Sequence, residues 1–542
     1  MDSQSGLALV ILAVVMFTIW LRSRLQILST FRIMGIPGPK PSLLSTNVKE
    51  VWREKKPWVV IDEWTKEYGK IFGCFPMGIR PILVISDTSI LQEILVTNFS
   101  NFRNRPALGP PRPEPGASTL TSLRGERWKR VRNVISPTFS AKKVRQTAGS
   151  MHNAASTLIT LLKDKSKKPN PFDIYQMFQA LTLDVIAQAA FALQVNSQTD
   201  PDDALLTMCR GVFKSIFTPA LKILLLFPEL GAAAKLMHKK SDSSKHQFCV
   251  LTHMKKVFHE RRKNPGIKNN DMIQLMMDAA DHIRINMPIN TALHSTSPMS
   301  IIGDKPEYVI HEKTPQPLQS ARYLTENELI ANCFVFLLAG YETTANALAF
   351  TTFLLAKHQD VQERLYRDIV ATVGEQPGTE FDEHFPSCRI PYLDAVIKES
   401  LRMYPPITGF VMRECAETCT INGLEIPAGM AIHIPVWTLH HDAELWPNPS
   451  QFNPDRFMPD NVSAIQEMAF MAFGEGPRNC IGMSFAMMEI RITLVQILQR
   501  FRIENIVGQE NLELQSPFVT MNPSNGVFVR LERRQPTADD TV

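Results

Sequence analysis

The spacing of apolar residues changes rhythm several times along this chain, and each change predicts an element. Gly6 to Leu21 (GLALVILAVVMFTIWL) is an unbroken apolar or neutral run. IFGCFPMG (71–78) and RPILVISD (80–87) are β-branched, apolar stretches interrupted by Met77-Gly78-Ile79, the pattern of a small β-hairpin. From about residue 125 to 415 the period becomes helical, with amphipathic or apolar helices predicted over 125–135, 143–164, 173–190, 246–262 and 325–357. Strand signals return in two tight hairpins, at Asn422-Gly423 within CTINGLEIP and at Asn525-Gly526 within PSNGVFVRL. The pattern therefore predicts a mainly α chain with a minor β region and no internal repeat.

The first run is long enough, at ~1.5 Å per residue, to cross most of a thin bilayer. Asp2 precedes it, whereas Arg22, Arg24 and Arg32 follow it. A cleaved signal peptide needs positive charge before its apolar run and small residues after it. Neither is present, so residues 1–24 read as a signal anchor of the endoplasmic reticulum, with the folded part on the cytosolic side. Residues 25–42 contain GIPGPKP and read as a proline-stiffened hinge, leaving 43–542 as one folded domain. Residues 214–230 (KSIFTPALKILLLFPEL) are apolar but broken by Pro219 and Pro228. They suit either a buried core segment or a helix-loop dipped into the membrane surface. Residues 283–322 are rich in Pro, Ser, Thr, Asn and Gln and read as a polar surface insertion.

Charge adds little to this picture. The 58 basic and 53 acidic residues nearly balance, which leaves no nucleic-acid footprint. The eight cysteines lack the pairing of a zinc site or the density of a secreted scaffold, and they read as reduced thiols. Cys415 and Cys419, four apart beside a predicted hairpin, make a poor metal pair.

Cys480 differs from the other seven. It lies in FGEGPRNCIG (473–482), a glycine-bracketed, arginine-flanked loop running into a helix marked by Phe485, Met488, Ile492, Val495 and Leu498. Arg478, backbone N–H groups freed by Gly474 and Gly476, and a helix N-terminus all favour the thiolate, while Phe473 shields it. Those are the requirements of an axial sulfur ligand to heme iron. The 325–357 helix opens with a capping box, Thr325 and Glu328, and is then apolar nearly all round. Gly340 in its interior costs about 1 kcal/mol relative to alanine, which suggests close approach of another group to the backbone. Ala339 and Gly340 leave room for dioxygen there, and Glu342 with Thr343 can relay protons to it, unless the threonine bonds back to its own helix. Trp128 and Arg132, four apart, present one helical face to heme propionates. Lys129, Arg130, Lys142, Lys143 and Arg145 form a basic cluster that is either solvated or suited to an acidic flavoprotein donor.

The Cys480 loop resembles the heme signature of the cytochrome P-450 superfamily. NFSNFRNRP, WKRVRNVISPTFS, LLAGYETT, LRMYPP, TLHHDAELWPNP and FGEGPRNCIGM are similar to the animal clan that holds the drug- and steroid-oxidising family three enzymes and thromboxane synthase. The 283–322 insertion and LRMYPP lean toward the thromboxane-synthase branch. The resemblance implies the cytochrome P-450 fold, with heme b between the long central helix and the cysteine loop. It implies that Glu399, Arg402 and Arg456 form a buried network bracing that loop. Arg105, Arg413 and Arg478 join Trp128 and Arg132 as heme-propionate partners. Ala339, Thr408, Phe410 and Val519 line the substrate pocket. It also implies a monooxygenase that takes electrons from NADPH through cytochrome P-450 reductase, with cytochrome b5 as an accessory donor, and oxidises a lipophilic substrate with O2. Two alternatives stand beside it. An endoperoxide isomerase of the thromboxane-synthase kind needs no reductase and lacks the helix alcohol, which this chain keeps as Thr343. A heme or lipid carrier without turnover needs no proton relay.

Overall fold

The computed structural model describes residues 3–52, 56–107, 114–200, 202–214, 219–230, 242–264, 271–281, 324–374, 390–409, 411–516 and 519–534. The 283–322 insertion and Phe410 lie outside them. The helices that matter for function are Ser3–Leu28 (α1), Gly125–Ile135 (α2), Ile174–Phe191 (α3), Ala204–Lys214 (α4), Pro219–Leu226 (α5), Glu326–Lys357 (α6), Pro391–Met403 (α7) and Met483–Arg500 (α8). The strands are Ile71–Cys74 (β1), Ile82–Ile85 (β2), Phe172–Asp173 (β3), Met412–Glu414 (β4), Cys419–Ile421 (β5), Leu424–Ile426 (β6), Ala431–His433 (β7), Phe501–Glu504 (β8), Leu514–Gln515 (β9), Asn522–Pro523 (β10) and Phe528–Arg533 (β11). The chain divides into two compact units.

The smaller unit comprises Met1–Pro111, Phe217–Ser241 and Gly409–Thr438. Its sheet has the order β1-β2-β7-β4, and β2 runs parallel to β7 while the other pairs are antiparallel. β1 and β2 are the expected hairpin strands, and Phe72, Cys74 and Val84 pack with Val51, Ile61 and Trp64 beneath them. The β5–β6 hairpin turns at Asn422 and Gly423, both at positive φ (48° and 81°), as a two-residue turn requires.

α1 runs past the expected anchor boundary, and its Leu7–Leu28 portion is long and apolar enough to cross a membrane. The start of the expected hinge is therefore helical, continuing through a further turn at Thr30–Ile33. The rest of it is docked on the sheet. The Pro37 carbonyl accepts from Gly73 N–H (2.9 Å), and Phe31 lies where a side chain at Gly73 would have to go. Arg24 ties the anchor base to two other segments. Almost fully buried, it donates to the carbonyls of Leu43 (2.5 Å), Leu44 (3.0 Å) and Leu226 (2.7 Å) and lies over the rings of Trp20 and Phe227. The apolar segment, here α5 and the turn Pro228–Leu230, is thus tied to the anchor base, with Ile223 and Leu230 exposed.

The larger unit comprises Arg112–Ile216, Asp242–Thr408 and Leu439–Val542. α6 runs through it against α3, α7 and α8. By length and composition α6 could also cross a membrane, but 78% of its apolar window is buried in protein, so it is a core helix. Its capping box is present: Glu328 N–H donates to Thr325 Oγ1 (3.2 Å) and Thr325 N–H to Glu328 Oε2 (2.9 Å). The other oxygen of Glu328 accepts from Arg127 Nε (2.8 Å) and Arg130 Nη2 (2.5 Å), which fastens α2 to the start of α6.

The second expected hairpin does not form. β10, before Asn525-Gly526, pairs with β9, whereas β11, after it, pairs with β3 and β8. Asp173 redirects the chain, since its Oδ1 accepts from Val527 N–H (2.9 Å) and its carboxylate sits where a side chain at residue 526 would go. Replacing Gly526 (φ 80°) by alanine would force a left-handed residue and bring Cβ to 2.5 Å from Asp173 Oδ2. The expected loss is about 1–3 kcal/mol, read as a lower denaturant midpoint at unchanged slope.

Candidate functional site

The Cys480 loop is built by its glycines. Gly474 and Gly476 both take φ 71°, which lets Asn479 N–H reach the Gly476 carbonyl (3.0 Å) and Cys480 N–H the Phe473 carbonyl (2.8 Å). α8 starts at Met483, with Phe485, Met488, Ile492, Val495 and Leu498 all buried. Cys480 itself is exposed, although Arg478 two residues before it is buried. α2 supplies the surroundings. Trp128 lies under the Arg478 guanidinium (4.3 Å to the ring centre), Arg478 Nη2 donates to the Leu123 carbonyl (2.7 Å), and Arg132 Nη2 donates to Asn479 Oδ1 (3.1 Å). Burial pushes the Arg132 guanidinium down to about 10, and a thiolate at Cys480 pulls it the other way. Arg132 therefore sits close enough to feel the sulfur and to favour its anion.

α6 is buried along its interior except at Val335, Ala339, Gly340 and Thr343. Val335, Ala339 and Thr343 recur every fourth residue, so they form one open stripe on an otherwise enclosed helix. Thr343 Oγ1 donates to the Ala339 carbonyl (2.6 Å), the back-bond open to any helical threonine, which leaves its lone pairs on the open side. Glu342 is not beside it. Adjacent helix residues point about 100° apart, and Glu342 faces α3, fully enclosed. Its oxygens accept from Tyr175 Oη (2.7 Å) and Gln179 Nε2 (3.2 Å), and Arg210 of α4 holds Gln179 from behind (Nε to Oε1, 3.2 Å). Burial raises the Glu342 pKa above the ordinary carboxyl value against these hydrogen bonds, which favours the proton-carrying form. Tyr175, Gln179 and Arg210 were not legible from sequence, because nothing in their local pattern marks what α3 and α4 pack against.

Glu399, Arg402 and Arg456 do meet. Arg402 and Glu399 have no exposed surface and form a two-pronged pair (Nε to Oε2 2.7 Å, Nη2 to Oε1 2.9 Å), and Arg456 Nε reaches Glu399 Oε1 at 3.3 Å. The remaining Arg402 donors go to the carbonyls of His440 (2.7 Å) and Pro449 (2.8 Å), with the guanidinium over Trp446. His440, which no sequence motif singles out, continues the chain of contacts. Its Nε2 accepts from Met471 N–H (2.8 Å), so its Nδ1 carries the proton and donates to the Arg402 carbonyl (3.0 Å). Met471 stands two residues before the loop begins at Phe473.

In the smaller unit, Arg413 on β4 is fully buried. Its Nη1 donates to its own strand at Met412 (2.9 Å), and its Nε has no hydrogen-bond partner among the described residues. Burial and the like charge of Arg105 push its pKa down to about 9. A buried guanidinium beside another cation fits an anionic group such as a propionate. In the larger unit, Thr408 (buried) and Val519 (half-buried) flank a bridge between Ile407 and Thr520. Of the basic cluster, Arg130 is occupied by Glu328.

A thiol displayed at a helix start beside Arg132 and the buried Arg478, with an alcohol on the open stripe of a core helix, fits a heme-thiolate protein. The cytochrome P450 family model matches residues 36–299 and 307–529. The chain is 34% identical over 518 residues to thromboxane-A synthase of Rattus norvegicus, covering 93% of each. It is 31% identical over 479 residues to cytochrome P450 3A31 of Mesocricetus auratus (88% and 86% covered) and 29% identical over 514 residues to lithocholate 6-beta-hydroxylase of the same species (93% and 92%). The chain belongs to the cytochrome P450 family, whose members are enzymes that bind heme through a cysteine thiolate.

Two predictions come from the brace. Arg402→Ala strands the Glu399 charge in the interior and should cost about 3–5 kcal/mol with loss of bound heme. Arg402→Lys should rescue little, because an ammonium cannot reproduce the two-pronged pair; unfolding midpoint and heme content measure both. Burial holds the His440 pKa well below its ordinary value of 6.5. Below that value the unfolded chain takes up a proton that the folded chain refuses, so stability is complete above pH 6.5 and falls as pH drops below it. Denaturant midpoints across this range should show a slope that His440→Gln flattens.

Proposed function

We propose that this chain is an oxygen-consuming monooxygenase of the endoplasmic reticulum membrane. It is anchored by α1 and fed electrons from NADPH by cytochrome P-450 reductase, with cytochrome b5 as an accessory donor. Its substrate class is lipophilic: a steroid, fatty acid, eicosanoid or foreign compound. The observation that carries this reading is Thr343 on the open stripe of α6 with the buried carboxyl of Glu342 directly before it. Chemistry that consumes O2 needs protons delivered at the bound oxygen; rearrangement of a substrate that brings its own O–O bond does not.

Cys480 would ligate heme iron, Arg132 and Arg478 would keep its sulfur anionic, and Phe473 would screen it. Trp128, Arg132 and Arg478 would take the propionates. Heme bound in this way would supply oxygen activation, with the Cys480 thiolate as electron-rich ligand. The chain's own task is proton handling and exclusion of water. Thr343 offers its oxygen on the open stripe, held in one rotamer by the Ala339 carbonyl. Glu342, whose burial favours the proton-carrying form, would serve as the proton reserve on the α3 side of the helix, and Tyr175 and Gln179 fix its orientation. Ala339, Thr408 and Val519 of the larger unit would shape the pocket. α5 would lie against the bilayer, its exposed Ile223 on the lipid side, which suits a substrate that arrives from the membrane.

A second reading, endoperoxide isomerase, is favoured by the 34% identity to thromboxane-A synthase. Membranes carrying the protein and reductase, incubated with a panel of lipids with and without NADPH, separate the two by product mass. The monooxygenase adds one oxygen atom only with NADPH, whereas the isomerase converts an endoperoxide without it. Thr343→Ala should lower product per NADPH consumed by on the order of 10- to 100-fold while oxygen uptake continues. Unchanged coupling would sink the relay. Cys480→Ala should lose the red-shifted carbon monoxide band of thiolate-ligated ferrous heme together with all turnover.

A further inference from the structure

Cys415 and Cys419 are the remaining motif that neither heme binding nor proton delivery uses. Their sulfurs lie 3.9 Å apart. The separation is held by backbone on both sides of the bend between them. Asn101 clamps that bend: its Oδ1 accepts from Glu417 N–H (2.7 Å), its Nδ2 donates to the Glu417 carbonyl (2.8 Å), and its own carbonyl accepts from Ala416 N–H (2.8 Å). Cys415 is fixed in the sheet by Cys415 N–H to the Met430 carbonyl (3.0 Å) and Gly429 N–H to the Cys415 carbonyl (2.8 Å). Cys419 opens β5 opposite Ile426, and the Cys415 thiol lies 3.5 Å from the Ile426 carbonyl, so both side chains converge on one residue.

Two sulfurs are too few for a structural zinc site, which takes four ligands. No cluster of three or more His, Cys, Asp or Glu side chains able to hold a metal occurs among the described residues. The two thiols differ in access. Cys415 is buried, and its thiol donates to the Glu417 carbonyl (3.0 Å), whereas Cys419 is half-buried and reachable from solvent. Burial and the neighbouring Cys419 push the Cys415 thiol up to about 12, so it does not meet oxidants first.

We propose that Cys415 and Cys419 are a peroxide-sensitive modification site that closes to an intrachain disulfide. Hydrogen peroxide is the oxidant. Its O–O bond breaks as one oxygen passes to the Cys419 sulfur, giving a sulfenic acid and one water. The Cys415 sulfur then attacks the Cys419 sulfur; its proton leaves with the hydroxyl as a second water, and the S–S bond forms. The two thiols lose two electrons and the peroxide gains them. Closing from 3.9 Å to a ~2.05 Å bond requires side-chain rotation within a bend whose backbone is already pinned. The disulfide ties the end of β4, which carries Arg413, to the start of β5.

The test uses the heme-loaded protein. It is treated with increasing hydrogen peroxide, trapped by alkylation and mapped by peptide mass, with the exposed Cys249 as an internal reference for a thiol lacking this arrangement. The peptide carrying Cys415 and Cys419 should lose two hydrogens in mass and escape alkylation at lower peroxide than oxidises Cys249, and dithiothreitol should restore both thiols. In Cys415→Ser the reaction should stop at Cys419, with a severalfold gain in sulfenic-acid labelling and onward oxidation to the sulfinic acid. In Cys419→Ser the Cys415 thiol should stay unmodified. The proposal is overturned if both thiols still alkylate once Cys249 is fully oxidised, or if wild-type Cys419 reaches the sulfinic acid as fast as it does in Cys415→Ser. None of these readouts depends on turnover, so they stand apart from the monooxygenase assignment.

Discussion

A carboxylate with no exposed surface, Glu399, accepts from two guanidiniums and from the Asn453 backbone N–H, and the order of the segment leading to the cysteine loop follows from that charge being satisfied. Arg402 shares its remaining donors among the carbonyls of His440, at the end of a helix, and of Pro449 and Gln451, in the turn after it. His440 carries the constraint to Met471, and the glycine-built loop presenting Cys480 follows directly. Buried pairs of this kind add little net stability, because desolvation offsets the attraction, but any departure from the paired geometry is costly. That asymmetry suits a ligand loop, which needs one position more than it needs extra stability.

The core helix α6 rests on a different constraint. α6 is apolar and enclosed, so the few positions left open are chemically conspicuous. Thr343 lies on the open stripe and Glu342 behind it, and one step of helical rotation gives neighbouring residues separate surroundings. Near the start of the same helix, Glu328 of the capping box also binds Arg127 and Arg130 of α2. α2 in turn carries Trp128 and Arg132 to the cysteine loop. One short helix thereby links the start of the core helix to the sulfur.

Residue types that announce their chemistry are legible in the chain itself. The glycines around Cys480, the capping box at Thr325 and the Asn422-Gly423 turn each depend on a few adjacent residues, and local backbone rules decide such features. Asn525-Gly526 carries the same local signal, yet no hairpin forms there. Asp173, far away in sequence, captures Val527 N–H and sends the strand to β3 and β8. The segment after the anchor departs from the expected hinge for a similar reason, since Arg24 and Phe31 find partners near residues 43, 73 and 226 that no window around them contains.

Sequence by itself determined the membrane-length apolar helix, the mainly helical class, the thiol-presenting loop and the acid-alcohol dipeptide, because periodicity and short-range turn chemistry encode them. Tertiary structure alone decided that Glu342 turns to Tyr175 and Gln179 while Thr343 keeps the open side, that His440 joins the brace to the loop, and that Cys415 and Cys419 come within reach of one another. Hydrogen-bond partners distant along the chain are chosen by packing, and burial sets the protonation of groups whose ordinary values say nothing of where they lie.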